Sequence, residues 1–216
     1  MIGLTFDEIA HRYELDGVTV PSVTGVLKAA GLIDFSGIPA DTLEAARRRG
    51  TAVHQAICYY NENDLNVEQF AIDYPDFAGY LLAWINFCAM RSFVPVLNER
   101  RVASRLHQIA GTLDCLGTLD GAGALIDFAT GSAADACKQL QTAAYLGLAH
   151  EWADDDPAIG LFLDAHPIIR RYAVELKADG RFNLQPYTAP SDFREFLALR
   201  AAQAVVDKHR RRAVAA

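Results

Sequence analysis

The chain has 216 residues, of which 51% are hydrophobic and 22% charged, and it carries a formal charge of −7. That composition excludes a disordered polar chain and suits one sizeable core, hence a single domain over 1–216. The acidic balance excludes a polycation that grips nucleic acid by bulk charge, so any hold on a polyanion has to come from local clusters.

Alternation through Thr5–Val20 around Asp16-Gly17 predicts an N-terminal hairpin. Pro21-Ser22 stops it, and Ser22 or Thr24 caps a short helix through Val26, Leu27 and Ala30 to Gly31. After a loop at Ile33–Pro39, Asp41 with Glu44 three residues on makes a capping-box pattern for a longer helix, AARRRGTAVHQAICYYNE. Gly50 stands inside that helix at a cost of about 1 kcal/mol against alanine, which predicts close approach of another group. Arg47, Arg48 and Arg49, one turn ahead of His54, form the first of three basic clusters. The others are Arg170-Arg171 and His209–Arg212, the last read as part of a solvated tail frayed from about 208.

The polar stretch Asn61–Pro75 reads as loop. Tyr74-Pro75-Asp76 then opens a helix whose Tyr80, Leu81, Trp84, Ile85, Phe87, Cys88 and Phe93 form an apolar face. From Pro95 a strand-like segment carries Glu99, a surface partner for Arg100 or Arg101 if it has no other role. Next comes Gly111 to Tyr145: a strand around Ile109–Gly117, a turn at Asp120-Gly121, a second strand at Ala124–Ala129, a break at Thr130-Gly131, and a helix opened by Ser132 and Asp135.

Asp114 and Asp127 therefore fall on neighbouring antiparallel strands. Alternation puts Asp127 and position 129 on one side and Phe128 on the other. Paired hard oxygen donors suit Mg²⁺. On the helix, Lys138, Gln141 and Tyr145 share one face at i, i+3 and i+7. Asp154-Asp155-Asp156-Pro157 closes it with a solvated acidic loop. Strands Arg171–Leu176 and Arg181–Pro186 flank Asp179-Gly180, and Ser191 or Asp192 caps a last helix, Phe193 to about Lys208, with Phe196, Leu199 and Val206 inward. This order predicts an α/β (α+β mixed) domain, one central mixed β-sheet flanked by helices.

No run of about 18 apolar residues marks a membrane span, and the first residues lack a basic-then-apolar leader, so a cytoplasmic location is expected. Cys58, Cys88, Cys115 and Cys137 are scattered without a CxxC pair, which predicts buried thiols. The chain has no GxSxG, GxGxxG or GxxxxGK[ST], so serine hydrolysis and nucleotide binding have no support.

Gly-x-x-Asp at Gly111–Asp114, Ile-Asp-Phe-x-Thr-Gly at Ile126–Gly131 and Gln-x-x-x-Tyr at Gln141–Tyr145, with Gly-x-x-x-His at Gly50–His54, together resemble the PD-(D/E)XK nuclease superfamily, in its RecB-like and phage recombination exonuclease branch. The resemblance implies a restriction-endonuclease-like fold and metal-dependent hydrolysis of DNA. By its terms Asp114, Asp127, the backbone carbonyl of Phe128 and His54 hold one or two Mg²⁺ or Mn²⁺ ions, and Glu99 feeds the same site. Gln141 and Tyr145 contact substrate phosphate or brace the site, and Arg47, Arg48, Arg49 and Lys138 join them as candidate DNA contacts. The scattered cysteines do not match the iron–sulfur cluster of some RecB-like relatives.

One position departs from the pattern. The family has Asp-x-Lys on the second strand, and here Ala129 stands at the lysine, which normally orients the attacking water. Losing one positioned catalytic group costs on the order of 10²–10⁴-fold in rate, so a weakened or silent enzyme is expected. The simpler account is a lysine exchanged at 129 to silence the enzyme; the other is that Lys138 reaches in from the helix. The likeness favours an exonuclease on duplex DNA ends that works beside a single-strand annealing protein, sometimes as a ring homo-oligomer. The alternatives are a nuclease-fold DNA-binding module without catalysis and a structure-specific endonuclease.

Overall fold

The computed structural model describes residues 3–131 and 136–214. The N-terminal strands β1 (Leu4–Asp7), β2 (Arg12–Leu15) and β3 (Val18–Val20) form an antiparallel sheet of their own. The expected turn at Asp16-Gly17 joins β2 to β3, with φ of 51° and 82° as a two-residue hairpin of mirror-image type requires. The expected single hairpin is nonetheless a three-stranded meander. Asp7 Oδ1 accepts from the amides of Ile9 and Ala10 at 3.0 Å each, a side-chain turn that reverses the chain once more.

Helix α1 (Val23–Ala29) follows, capped by Ser22 Oγ, which accepts from the Gly25 amide at 2.9 Å. Helix α2 (Ala40–Asn61) begins two residues earlier than its capping-box pattern predicts. Pro39 occupies the cap position and Asp41 lies in the first turn, where its carboxylate meets the helix dipole and makes no cap hydrogen bond. A helix the sequence does not signal, α3 (Val67–Asp73), interrupts the supposed loop. Asn66 caps it at 3.0 Å and Phe70 anchors it in the core. Short helices like this owe their stability to packing rather than propensity, which is why local pattern misses them.

Helix α4 (Pro75–Met90) leads into the main sheet: β4 (Phe93–Ser104), β5 (Ile109–Leu119), β6 (Ala122–Ala129), β7 (Arg170–Leu176) and β8 (Phe182–Tyr187), paired in that order. Every pairing is antiparallel except β6 with β7, which are parallel and joined through α5 (Ala136–Glu151) and α6 (Pro157–Ala165). The sheet is therefore mixed, as the element order predicts. The capping pattern of Ser132 and Asp135 lies outside the described residues. The acidic loop closes α5 as expected, and helix α6 follows it: Asp156 caps it by accepting from Ala158 and Ile159 while Pro157 takes the first helical position. The last helix, α7 (Asp192–Val214), continues past the end predicted near Lys208, and on it Phe196 is buried while Val206 is exposed. Among the described residues no helix is long and apolar enough to cross a membrane.

Each face of the main sheet carries its own core. One joins the small sheet, α1, α5, α6 and α7 around Leu113, Leu116 and Leu125. The other joins α2, α3 and α4 around Ile126, Phe128 and Trp84. Strand β6 is buried on both faces, so its alternation sends Leu125 and Asp127 toward α5 and Phe128 toward α2. Of the cysteines, Cys115 and Cys137 are buried and Cys58 and Cys88 partly so.

Candidate metal centre

Strands β5 and β6 pair from Leu119–Ala122 up to Cys115–Ile126, and there the ladder ends. Beyond that point β6 stays on β7, with Asp127 opposite Ala173 and Ala129 opposite Glu175. The Phe128 amide has lost its partner on β5, and Asp114 replaces it: Oδ2 accepts from the Phe128 N–H at 2.9 Å. A buried amide must be satisfied, so the opening of the sheet and the inward placement of Asp114 are one event. Both motif acids lie where the strands part.

From α2 and β4 come two further side chains. His54 Nδ1 is 3.1 Å from Glu99 Oε1 and 3.9 Å from Asp114 Oδ1, and one ligand atom from each of the three lies within 4.8 Å of the other two. The Phe128 ring supports the imidazole at 4.4 Å between centroids. Glu99 has φ of 46°, the left-handed region, which for a non-glycine residue costs on the order of 1 kcal/mol and turns the side chain out of the strand's regular alternation. The surface pairs predicted for it do not form: Arg100 binds Asp156 and Arg101 reaches Glu8.

A buried amide chain holds these elements in register. The Trp84 indole donates to Asn61 Oδ1 at 2.8 Å, Asn61 Nδ2 donates to Asn98 Oδ1 at 2.7 Å, and the Cys115 thiol donates to the same Asn98 oxygen at 3.4 Å. Asn61 lies two turns beyond His54 on α2, Asn98 precedes Glu99, and Cys115 follows Asp114. Each amide link therefore fixes the neighbour of a candidate ligand. Sequence reasoning missed this chain, whose members carry no motif.

Asp127 differs from its expected place. It stands outside the close triplet, only 1% exposed, and its Oδ2 is held by Lys138 Nζ from α5. Its Oδ1 is buried with no hydrogen-bond partner among the described residues. Of the expected ligands, His54 and Asp114 come together with Glu99 in a close triplet, and Asp127 stands behind it. The donors are hard oxygens and an imidazole, and one carboxylate oxygen awaits a partner; that set fits a divalent cation.

Electrostatics agree. Burial would lower the His54 pKa, but the charge of Asp114, the hydrogen bond to Glu99 and the charge of Asp127 outweigh it and lift it to about 9. Burial raises Asp114 to about 8, and Asp127 and Glu99 push the same way against His54 and Lys138. Burial likewise opposes the charge of Lys138, yet Asp127 and Asp114 raise its pKa. Both His54 and Asp114 therefore hold their protons to higher pH than they would in water.

The expected DNA contacts separate. Arg47 and Arg48 are exposed on α2. Arg49 is a strut, its Nε donating to Thr130 Oγ1 at 3.2 Å and its guanidinium lying 5.5 Å from the Tyr80 ring centre. Nothing approaches Gly50, where a Cβ would find no atom within 4 Å, so the close contact predicted there is absent among the described residues. Gln141 and Tyr145 are buried, and Gln141 Nε2 donates to the Tyr145 hydroxyl at 3.1 Å. The Tyr145 ring presses on Gly111, where a Cβ would come within 2.7 Å of Cε1, which gives the Gly-x-x-Asp glycine its steric reason. As placed, both brace α5 on β5 and present no surface to a phosphate. Lys138 likewise spends its charge on Asp127, and Ala129 lies half-buried on the strand beside it.

Arg171 also leaves the basic clusters. It is buried, bonded to Asp192 at 2.6 Å and to the carbonyls of Gln139 and Ala189. Asp192, a predicted helix cap, is thereby an ion-pair partner instead.

No protein-family model and no curated protein matches this chain. What remains is the chemistry of the centre: His54, Glu99 and Asp114 offer donors that could hold a metal ion, with the Lys138 ammonium on Asp127 behind them.

Proposed function

We propose that the chain is a metal-dependent DNA nuclease of the PD-(D/E)XK kind, an exonuclease that attacks duplex ends in phage-type recombination or repair. The observation that carries this reading is the pairing of Asp127 with Lys138 at the point where β5 and β6 part around Asp114. Two acids on parting strands with a lysine on one of them is the polar set such hydrolysis requires. Helix α5 supplies the lysine that Ala129 lacks, which favours an active enzyme over one silenced at position 129.

In this proposal His54, Glu99 and Asp114 hold Mg²⁺ or Mn²⁺, with Asp127 and the Phe128 carbonyl completing the set for one or two ions. The bound cation would polarise the scissile phosphate and lower the pKa of water. Lys138 orients the attacking water and pairs with Asp127 in the interior. Glu99 and Asp114 lie against His54 Nδ1 and orient the ring. Arg47 and Arg48, exposed on the helix that carries His54, meet the DNA backbone. A cytoplasmic setting and a single-strand annealing protein as partner belong to the same proposal.

Incubation of the purified chain with linear duplex DNA and Mg²⁺ or Mn²⁺ tests it, with closed-circular DNA beside it. Loss of linear DNA that Asp114→Asn and Lys138→Ala each abolish supports the proposal. Cleavage only after Ala129→Lys shows a silenced enzyme. DNA binding without cleavage by either form shows a binding module, and cutting of circles shows an endonuclease.

A further inference from the structure

Lys138 meets Asp127 only if the first turns of α5 stand at one height above the sheet, because a side chain of fixed length spans the gap. A buried arginine sets that height. Arg171 of β7 lies opposite Leu125 in the parallel ladder and two residues before Ala173, the partner of Asp127, so its side chain rises from the same face of the sheet as the acid.

The guanidinium uses both terminal nitrogens on other elements. Nη1 donates to the Gln139 carbonyl at 2.9 Å and to Thr142 Oγ1 at 3.4 Å, both on α5. Nη2 donates to Asp192 Oδ2 at 2.6 Å and to the Ala189 carbonyl at 3.1 Å, at the start of α7 and just ahead of it. The other Asp192 oxygen accepts from Gln139 Nε2 at 2.6 Å, and Thr142 Oγ1 donates at 2.9 Å to the carbonyl of Lys138 itself. Gln139 is thus held by its carbonyl and by its side chain, and Lys138 beside it by its own carbonyl.

Both side chains of the ion pair are shielded from water, Arg171 at 9% and Asp192 at 1% exposure. Such a pair is a poor source of stability, since the lost hydration offsets the attraction and apolar residues of similar volume often hold a fold equally well. What a satisfied buried network does supply is one geometry. A planar fork with its N–H groups aimed at fixed acceptors on α5 and α7 allows no sliding of α5 along β7.

We infer that Arg171 and Asp192 are positioning residues that set α5 so that the Lys138 ammonium lands on Asp127 behind the metal centre. They act through Lys138, by way of Gln139 and Thr142. The use of that ammonium in hydrolysis rests on the nuclease proposal; its placement does not.

The ammonium itself is the readout. A lysine NH₃⁺ gives a proton–¹⁵N cross-peak only when it is held and shielded from exchange with water, and the peak of Lys138 is assigned by its loss in Lys138→Met. It is expected in the metal-free full chain. In the double variant Arg171→Met with Asp192→Leu the melting temperature holds or rises while the peak disappears, and on linear duplex DNA with Mg²⁺ kcat falls on the order of 10²-fold at unchanged KM. Arg171→Lys, which keeps a charge for Asp192 but cannot fork onto α5, loses the peak and keeps the fold. A peak absent from the parent chain, or persisting in the folded double variant, overturns the inference; should the double variant not fold, a peak persisting in Arg171→Lys does the same. So does loss of the peak only together with collapse of the melting temperature in both variants, which would make the pair a bond of the fold alone. If the peak behaves as expected while DNA is never cut, the positioning stands and the nuclease proposal falls; if parent and variants cut DNA equally with the peak in place, the reverse holds.

Discussion

Lys138 of α5 binds the carboxylate of Asp127 on β6, so the ammonium reaches the acid from a helix eleven residues further along the chain. Position 129, on the same side of the strand as Asp127, is alanine. The interior thus contains the Asp–Lys pair that the local motif lacks, assembled from two elements.

If Lys138 orients water, Lys138→Ala lowers the cleavage rate on linear duplex DNA by about 10²–10⁴-fold. The double variant Lys138→Ala with Ala129→Lys recovers part of it. Because Asp127 is almost fully buried, removing its partner also costs about 3 kcal/mol, which urea unfolding of Lys138→Ala reads directly. Asp127→Asn in that background restores most of the stability and none of the cleavage.

The metal-free protein loses stability as pH rises from about 6.5 to about 9. His54 has its pKa raised to about 9, so its contribution is complete below its ordinary value near 6.5 and disappears as pH passes 9. Asp114 acts in the same direction: raised to about 8 by burial, its contribution falls away from the usual carboxylate value of 3.8 up to about pH 8, because the unfolded chain ionises there first. Thermal melts in EDTA across this interval show the decline, His54→Gln flattens its upper part, and Mn²⁺ reverses it. Since His54 gives up its proton to a cation, Mn²⁺ affinity climbs with pH until about 9, with proton release visible by calorimetry in buffers of different ionisation enthalpy.

Asn61 links Trp84 to Asn98 behind the centre. Asn61→Ala strands the indole N–H and leaves Asn98 Oδ1 only the Cys115 thiol, with an expected loss of about 1–3 kcal/mol in urea unfolding. The loosened α2 lets His54 drift, and Mn²⁺ affinity falls roughly tenfold although no ligand is altered. Unchanged affinity at reduced stability would confine the network to folding.

Two glycines should respond oppositely to alanine. At Gly111 the added Cβ would strike the Tyr145 ring, so Gly111→Ala destabilises by about 1–3 kcal/mol, less in a Tyr145→Leu background. At Gly50 the added Cβ meets open space inside a helix, so Gly50→Ala stabilises by about 0.5–1 kcal/mol. A gain in melting temperature joined to weaker DNA binding would show that the bare backbone at Gly50 faces substrate.

The sequence by itself determined the strand–turn–strand with its two acids, the turns at Asp16-Gly17, Asp120-Gly121 and Asp179-Gly180, and the long helices, because these depend on periodicity and on residues a few positions apart. It also placed Asp127 and position 129 on one side of the strand and Phe128 on the other, since alternation is a local rule; that α5 covers the Asp127 side came from the packing. Helices α3 and α6 escaped it: each is a short turn of chain held by one cap and a few core contacts. Only the tertiary structure decided which distant side chains share a volume. His54 meets Glu99 across 45 residues and Asn61 meets Asn98 across 37, while Arg171 joins Asp192 in the interior instead of facing a phosphate. Composition and spacing state which groups are available, but a buried charge is stable only where a partner arrives, and that partner is chosen by how the elements pack.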